Sequence, residues 1–289
     1  MKTKHVFLGA ALLQSLAFST YGQDLPITVR QVWSTDTTLR TPESVFYDSK
    51  RDILYVANIN KVNKDETDGD GFISKVKLEG KIEKLDWITG LNDPKGMAIV
   101  GGILYVSDLR QLVEIDITKG KIIKKHDLEG AKFLNDVASN ESGDVVVSDS
   151  YDNKVYKFID GKFVLWLEGS ELDKPNGLYF EKDEVLVASM NKGIVSRVKL
   201  NSTDMKVEFR EIPSTDGIAS DGKGNYFFSN WNGEVYYIGN KGGQWKIIDT
   251  KDQKINAADI TFVPKQSLLL VPTFFNNRLV AYKITSNKK

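Results

Sequence analysis

The stretch "KPNGLYFEKDEVLVAS" (174–189) contains two apolar segments joined by a charged turn. Apolar runs bounded by Gly, Pro, Asn and Asp are typical of strands in a β-hairpin. The polar residue Asn176 stands at the entrance to the first strand, and Gly177 after it is expected to allow a tight backbone turn. A comparison of this stretch with other segments of the chain shows why an Asn stands at position 176.

Five other segments open in the same way and lead through a short turn into a second apolar strand. They are "PESVFYD" (42–48), "PKGMAIV" (94–100), "LNDVASN" (134–140), "TDGIASD" (215–221) and "AADITFV" (257–263). The second residues of the six segments are Glu43, Lys95, Asn135, Asn176, Asp216 and Ala258, at intervals of 52, 40, 41, 40 and 42. A period near 40 with about four short strands per unit is the signature of a β-propeller. We therefore predict an all-β, six-bladed β-propeller with four-stranded blades.

The repeats also predict the boundaries of the fold. Residues 1–23 combine a basic start, an apolar run and small residues, which indicates a cleaved secretory signal peptide and a periplasmic or secreted protein. Residues 24–289 are then a single propeller domain. The strand at 27–33 is left over and the sixth repeat lacks a fourth strand, so we expect this N-terminal strand to close the last blade. The long first interval is explained by an insertion at 60–71.

Composition excludes several classes of function. The 39 basic and 39 acidic side chains balance, which gives no electrostatic footprint for nucleic acid or an anionic membrane. The absence of Cys removes disulfides, thiol catalysis and zinc–thiolate sites. One of the two histidines lies in the predicted signal peptide. The other, His126, is expected at the surface or at a strand edge, so a catalytic triad and a histidine-rich metal site both lack parts.

Two further acidic features have structural interpretations. The insertion "DETDGDGFI" (65–73) resembles a calcium loop, but Lys77 stands where an EF-hand needs a bidentate Glu, so we interpret it as a solvated acidic turn. Asp108 and Asp149 end second strands, and we expect them to brace the turns between the second and third strands.

Equivalent positions of successive blades form a ring around the central channel of a propeller. Here the ring carries two carboxylates and two amides, from Glu43, Asn135, Asn176 and Asp216. These are hard oxygen ligands that suit a divalent cation, most naturally Ca²⁺, with positions left open for water or substrate. Asn and Asp before Gly are also ordinary turn residues, which remains the alternative for each position taken singly. Lys95 in the same ring could bind an anionic substrate or stabilise an oxyanion.

The pattern resembles the SMP-30/gluconolactonase/luciferin-regenerating family of six-bladed propellers. Four motifs over the mature chain carry the likeness, namely "PESVFYD" (42–48), "KFLNDVASNESGDVVVSDS" (132–150), "KPNGLYFEKDEVLVAS" (174–189) and "STDGIASDGKGNYFFSN" (214–230). The resemblance implies one divalent cation, Ca²⁺ or otherwise Zn²⁺, Mg²⁺ or Mn²⁺, held by Glu43, Asn135, Asn176 and Asp216. It also implies that Asp216 is the general base. This chain departs from the family in having Phe133 where the lactonases often have a substrate-binding Arg.

Two functions follow as expectations. The first is a metal-dependent hydrolase of a lactone or ester, with Asp216 and Lys95 as catalytic residues, a small-molecule substrate, no membrane span and a monomeric state. The second is a non-enzymatic propeller that binds a protein, peptide or glycan through exposed aromatics such as Tyr151, Trp231 or Phe274–Phe275. A structural propeller of the NHL or strictosidine-synthase-like kind is a third interpretation.

Overall fold

The protein is a six-bladed β-propeller in which every blade is a four-stranded antiparallel sheet. The structure is a computed structural model and describes residues 24–62 and 67–287. The first strand along the chain, β1, is Ile27–Ser34. The predicted signal peptide lies outside the described residues. Within them, no helix is long and apolar enough to cross a membrane.

The blades follow one another along the chain. Blade one consists of β2 (Pro42–Asp48), β3 (Ile53–Asn58), β4 (Gly71–Lys77) and β5 (Ile82–Leu91), and blade two of β6 (Pro94–Val100), β7 (Ile103–Asp108), β8 (Gln111–Asp116) and β9 (Lys121–Asp127). Blade three consists of β10 (Leu134–Ser139), β11 (Val145–Asp149), β12 (Lys154–Ile159) and β13 (Lys162–Glu168), and blade four of β14 (Pro175–Glu181), β15 (Glu184–Ser189), β16 (Ile194–Lys199) and β17 (Lys206–Phe209).

Blade five consists of β18 (Thr215–Ser220), β19 (Tyr226–Asn230), β20 (Glu234–Ile238) and β21 (Gln244–Asp249). Blade six begins with β22 (Thr261–Val263), β23 (Leu268–Pro272) and β24 (Leu279–Ser286). Short 3-10 turns occur at Lys251–Gln253, Pro264–Gln266 and Phe274–Asn276.

The N-terminal strand closes the ring, as the sequence predicted. Strand β1 pairs antiparallel with β24, from Ile27 opposite Ser286 to Ser34 opposite Val280. It is therefore the outermost strand of blade six, in the order β1-β24-β23-β22. The first and last blades also meet at the channel, where the backbone N–H of Asp259 donates to the carbonyl of Glu43 at 3.0 Å.

The core lies between the blades, because each sheet packs on both faces. The second strands β3, β11, β19 and β23 are consequently buried along their whole length. The outer strand β9 is mostly exposed, and of its residues only His126 is buried. This arrangement explains why the sequence shows continuous apolar runs in the second strands.

We predict that a chain that begins at Thr35, and therefore lacks β1, will have a lower melting temperature and will associate as its concentration rises. Removing β1 leaves the edge of β24 unpaired, which offers a template for another chain. Calorimetry and size-exclusion chromatography measure the two effects, with Val32→Thr, an exposed change within β1, as the control. An unchanged melting temperature and a monomeric truncated chain would show that β1 does not hold the ring closed.

Candidate functional site at the channel mouth

Five inner strands begin at one face of the propeller, which we call the channel mouth, and carry their ring residues into it. Glu43, Lys95, Asn135, Asn176 and Asp216 each occupy the second position of such a strand, and all five are buried. In blade six the inner strand begins later, and Ala258 precedes it as a buried methyl group with no ligand atom. Blades one to five therefore supply every polar ring residue that the sequence identified.

Aspartates in the second strands position two of these residues. The buried carboxylate of Asp149 accepts hydrogen bonds from the backbone N–H groups of Lys132 at 2.8 Å and Phe133 at 2.9 Å. Asp108 accepts from Asn92 at 2.9 Å in the same manner. The segments that contain these donors each lead into an inner strand. The two aspartates therefore brace the entry to the ring, and not the turn that follows the second strand. The expectation for their role was wrong in this respect.

Glu43 has an uncompensated buried carboxylate. Its Oε2 atom is buried and has no hydrogen-bond partner among the described residues. Burial raises the pKa of Glu43 well above its ordinary value, the charge of Asp216 raises it further, and the Lys95 ammonium partly opposes both effects. A buried carboxylate oxygen without a donor is costly, unless a cation or a proton neutralises it.

Asp216 shares the same environment and is tied to its neighbour in blade four. Its Oδ1 accepts a hydrogen bond from Nδ2 of Asn176 at 2.9 Å. Burial raises the pKa of Asp216 to about 7, against the opposing effects of the Asn176 hydrogen bond and the Lys174 charge. Glu43 and Asp216 thus place two carboxyl groups in one desolvated space.

The two ring amides are oriented by their protein contacts. Asn176 must direct its nitrogen to Asp216, since a carboxylate only accepts. Asn135 donates from Nδ2 to the Ser150 hydroxyl at 3.1 Å, and that hydroxyl donates onward to the carbonyl of Pro175 at 2.6 Å. No described residue donates to the Oδ1 atom of either amide. Both amide oxygens therefore remain as acceptors for a ligand.

The Lys95 ammonium lies on the rim of the site. It donates to the carbonyl of Asp93 at 3.0 Å and lies 4.4 Å from the centre of the Phe133 ring. Phe133 stacks in turn on Tyr151, with ring centres 4.5 Å apart. Among the described residues, no carboxylate lies within 4.0 Å of this ammonium, so Lys95 leaves Glu43 and Asp216 without a direct ion-pair partner.

The sequence comparison missed two acidic residues of the channel, Asp136 and Asp259, each of which directly follows a ring residue. Asp136 accepts hydrogen bonds from the backbone N–H groups of Val137 at 2.7 Å and Leu178 at 2.6 Å. Burial raises the pKa of Asp136 to about 7. Burial, followed by the charge of Asp136, raises the pKa of Asp259 well above its ordinary value. The channel therefore holds four carboxyl groups.

Glycines in neighbouring blades make room for these aspartates. A Cβ atom on Gly96 would lie 2.3 Å from Oδ1 of Asp136, and one on Gly217 would lie 2.3 Å from Oδ1 of Asp259. Gly177 has the same kind of role, because its Cβ would meet the carbonyl oxygen of Asp216 at 2.1 Å. The φ angle of Gly177 is not in the left-handed region, so the expected tight turn is not the reason for a glycine here. The reason is the close approach between neighbouring blades. A Gly that follows a ring residue was the available sequence signal.

The candidate ligand set is mixed in chemistry. The part of the chain that the structure describes contains no group of three or more His, Cys, Asp or Glu side chains placed to hold a metal ion. The proposed set combines two carboxylates with two amides, so it differs in composition from such groups. Metal binding at Glu43, Asn135, Asn176 and Asp216 stays a prediction.

The remaining sequence candidates lie away from the channel or at its rim. His126 is in the outermost strand β9, as expected, but it is buried and its Nε2 lies 2.8 Å from Oε1 of Glu114. In the insertion, residues 63–66 are outside the described part of the chain, and the Asp70 carboxylate lies 3.1 Å from the Lys61 ammonium. Tyr151 and Phe275 are 61% and 57% exposed.

No family model and no curated protein matches the sequence. Among solved structures, a catalytically inactive histidine-to-alanine variant of virginiamycin B lyase from Staphylococcus aureus, bound to quinupristin, is similar. It has a TM-score of 0.63 and 11% identity over 89% of this chain and 99% of that chain. A streptogramin B lyase has a TM-score of 0.66 and 10% identity, over 90% of this chain and 98% of that one. A selenomethionine form of the S. aureus virginiamycin B lyase has a TM-score of 0.61 and 14% identity, over 91% of this chain and 89% of that chain.

These likenesses show that the chain has the six-bladed propeller fold. At 10 to 14% identity they show the fold alone. The likeness to the SMP-30 family rests on the four quoted motifs.

We predict that Gly217→Ala will lower the free energy of unfolding by about 1–3 kcal/mol or more. The added methyl group would meet the carboxylate of Asp259 at 2.3 Å and the backbone nitrogen of Ile260 at 2.5 Å. Gly239→Ala is the matched control, because its nearest neighbour lies at 3.2 Å. Equal denaturant midpoints for the two variants would contradict the close packing at the channel.

In the absence of divalent ions, we predict that stability will fall as the pH rises from about 4 to about 7. The folded-state pKa values of Asp136 and Asp216 are about 7, against an ordinary value of 3.8. The folded protein then binds more protons than the unfolded chain in this range and loses that advantage as they dissociate. Thermal melts in a chelating buffer measure the slope, which Asp136→Asn should reduce. A melting temperature that rises over this range would contradict the buried, proton-retaining carboxyls.

Proposed function

We propose that the protein is a divalent-metal-dependent hydrolase of the SMP-30/gluconolactonase type, acting on a lactone or an ester. The observation that carries the proposal is the buried Glu43 Oε2 atom, which has no hydrogen-bond partner in the described part of the chain and experiences the charge of Asp216. A cation between the two carboxylates would remove both the repulsion and the missing hydrogen bond.

The residues present fit a hard divalent ion. Glu43 and Asp216 would supply two negative charges, and the Oδ1 atoms of Asn135 and Asn176 would supply two neutral oxygens. Ca²⁺ suits a set made only of oxygens, whereas Zn²⁺ binds more often through His and Cys; Mg²⁺ and Mn²⁺ share the preference for oxygen. The hydrogen bond from Nδ2 of Asn176 to Asp216 occupies the amide nitrogen, so Oδ1 is the atom of this amide that is left for an ion.

When bound, the cation would supply Lewis-acid polarisation of the substrate carbonyl and of water. The chain's own residues would do the rest. Asp216 would accept the proton of the attacking water, and its hydrogen bond from Asn176 holds the carboxylate in one orientation for that transfer. The carboxyl groups of Asp136 and Asp259, together with those of the ring, would disfavour anions in the channel.

Lys95 would supply the positive charge that the resemblance assigns to residue 133. Its ammonium lies 4.4 Å from the centre of the Phe133 ring, so a cation from blade two lies beside the position to which the resemblance assigns the arginine. There it would bind an anionic group of the substrate or stabilise the developing oxyanion. We propose Asp216 and Lys95 as the catalytic residues on this basis.

Two observations from outside the channel support an exported propeller enzyme. The neighbouring folds are lyases, one of them bound to quinupristin, so propellers of this shape include enzymes. The pattern of residues 1–23 favours export and a periplasmic or secreted location. We further propose that the mature protein acts as a monomer.

A non-enzymatic binding propeller is the second candidate. The specific observation that favours it is a group of aromatics at the channel mouth, in which Trp231 packs against Phe274 and the exposed Phe275 with ring centres 5.6 and 6.1 Å away. Of the aromatics that the sequence predicted to be exposed here, Phe275 is exposed, Trp231 is half-buried and Phe274 is buried because it packs in the interior. An exposed aromatic such as Phe275 is typical of contact surfaces. A binder of this kind would not need a divalent ion.

We predict that Glu43→Gln and Asp216→Asn will each abolish Ca²⁺ binding in isothermal titration calorimetry and lactone or ester hydrolysis in a panel assay. Each change removes one of the two charges on the proposed ligand set. Asp204→Asn, an exposed change on the outside of blade four, should leave both readouts unchanged. Full binding and turnover in both ring variants would rule out this site, and a wild-type protein that binds no divalent ion would favour the binding propeller.

A further inference from the structure

A cavity of about 310 Å³ lies between blades five and six, and its wall includes none of the polar ring residues of the channel mouth. We call it the interblade cavity. Its wall combines aliphatic and polar side chains, which include Ile248, Val271, Val280, Asn256, Arg278 and Tyr282. None of the four proposed metal ligands belongs to the wall. Its volume is at the lower end of the range for small-molecule sites.

The cavity contains a cation that has no carboxylate partner. Arg278 is anchored by one contact, in which Nη1 donates to the carbonyl of Thr35 at 2.5 Å. Among the described residues, no carboxylate lies within 4.0 Å of its guanidinium; the pKa of nearby Asp36 is lowered mainly by hydrogen bonds with Thr38 and less by the Arg278 charge. The remaining N–H groups of the planar guanidinium match the two oxygens of a carboxylate.

The same wall contains an acceptor that lacks a donor. Asn256 is 8% exposed, and its Nδ2 donates to the carbonyl of Trp231 at 2.9 Å. Because that carbonyl only accepts, the orientation of the amide is fixed. Its Oδ1 is buried and has no hydrogen-bond partner among the described residues. A ligand that complements this atom must carry an O–H or N–H donor.

The rest of the wall restricts the ligand further. Tyr282 belongs to the same wall, and the hydroxyl of a tyrosine is a donor at neutral pH. Ile248, Val271 and Val280 provide an aliphatic surface for a short carbon chain. The required ligand therefore combines one carboxylate, one donor and a small apolar body.

We propose that the interblade cavity is a binding site for a small hydroxycarboxylate, held by Arg278 through its carboxylate and by Asn256 through its hydroxyl. The site is separate from the proposed metal centre and does not depend on hydrolase activity. Water alone could satisfy Asn256, but it would leave the Arg278 charge unneutralised. A molecule that carries both groups is therefore expected to bind more tightly than one that carries either group alone.

Titration of the full mature protein with 3-hydroxybutyrate tests the proposal, with butyrate and 1,3-butanediol as probes that each lack one group. We expect saturable binding of 3-hydroxybutyrate with a Kd of about 1 mM or tighter, and binding of each comparison probe that is weaker by about tenfold or more. No saturable binding of 3-hydroxybutyrate, or equal affinity for all three probes, would overturn the proposal.

Two variants assign the contacts. Arg278→Gln should weaken 3-hydroxybutyrate and butyrate alike by about tenfold or more, whereas Asn256→Ala should weaken only 3-hydroxybutyrate. Arg210→Gln, an exposed change outside the cavity wall, should leave all affinities unchanged. Unchanged affinities in a folded Arg278→Gln protein would overturn the proposal. If that variant does not fold, the three probes on the wild-type protein still decide the outcome.

Discussion

The pairing of β1 with β24 is the contact on which the rest of the structure depends. A propeller blade cannot bury both faces unless a neighbour covers each of them, so the first and last blades need one another. The chain meets this need by placing its first strand in its last sheet, from Ile27 opposite Ser286 to Ser34 opposite Val280. The closed ring also brings Asp259 against the backbone of Glu43. The channel and its carboxyl groups therefore depend on a pairing that is far from them.

The channel concentrates groups that are unfavourable when they are charged. Burial is the main cause of the raised pKa at Glu43, Asp136, Asp216 and Asp259, and repulsion between them adds to it at several of these positions. Glycines let neighbouring backbones approach the cluster closely, and backbone N–H groups donate hydrogen bonds to Asp136. Both features keep the carboxyl groups together. A cluster of this kind suits a function in which a cation or a proton arrives and leaves. Structural stability alone would favour apolar residues at these positions.

The repeat period was enough to predict the blades, the strand count, the N-terminal closure and the residues that enter the channel mouth. Those features depend on local patterns that recur in every unit. The sequence did not reveal Asp136 and Asp259 because their counterparts in the other four blades are Ser44 and three glycines, so no ring of like residues marks the position. The role of Gly177 was misread because its constraint comes from Asp216 in the next blade. The Lys95 ammonium is oriented by its contacts with the Phe133 ring and the carbonyl of Asp93. The spacing of the repeats does not predict these contacts.

The central claim is that one divalent cation binds between Glu43 and Asp216 with the amide oxygens of Asn135 and Asn176. A crystal structure of the mature protein grown with Mn²⁺, recorded at a wavelength where manganese scatters anomalously, tests it directly. The account predicts one anomalous peak at the channel mouth within coordination distance of all four side chains. A channel mouth without a peak, with the metal elsewhere or absent, would contradict it.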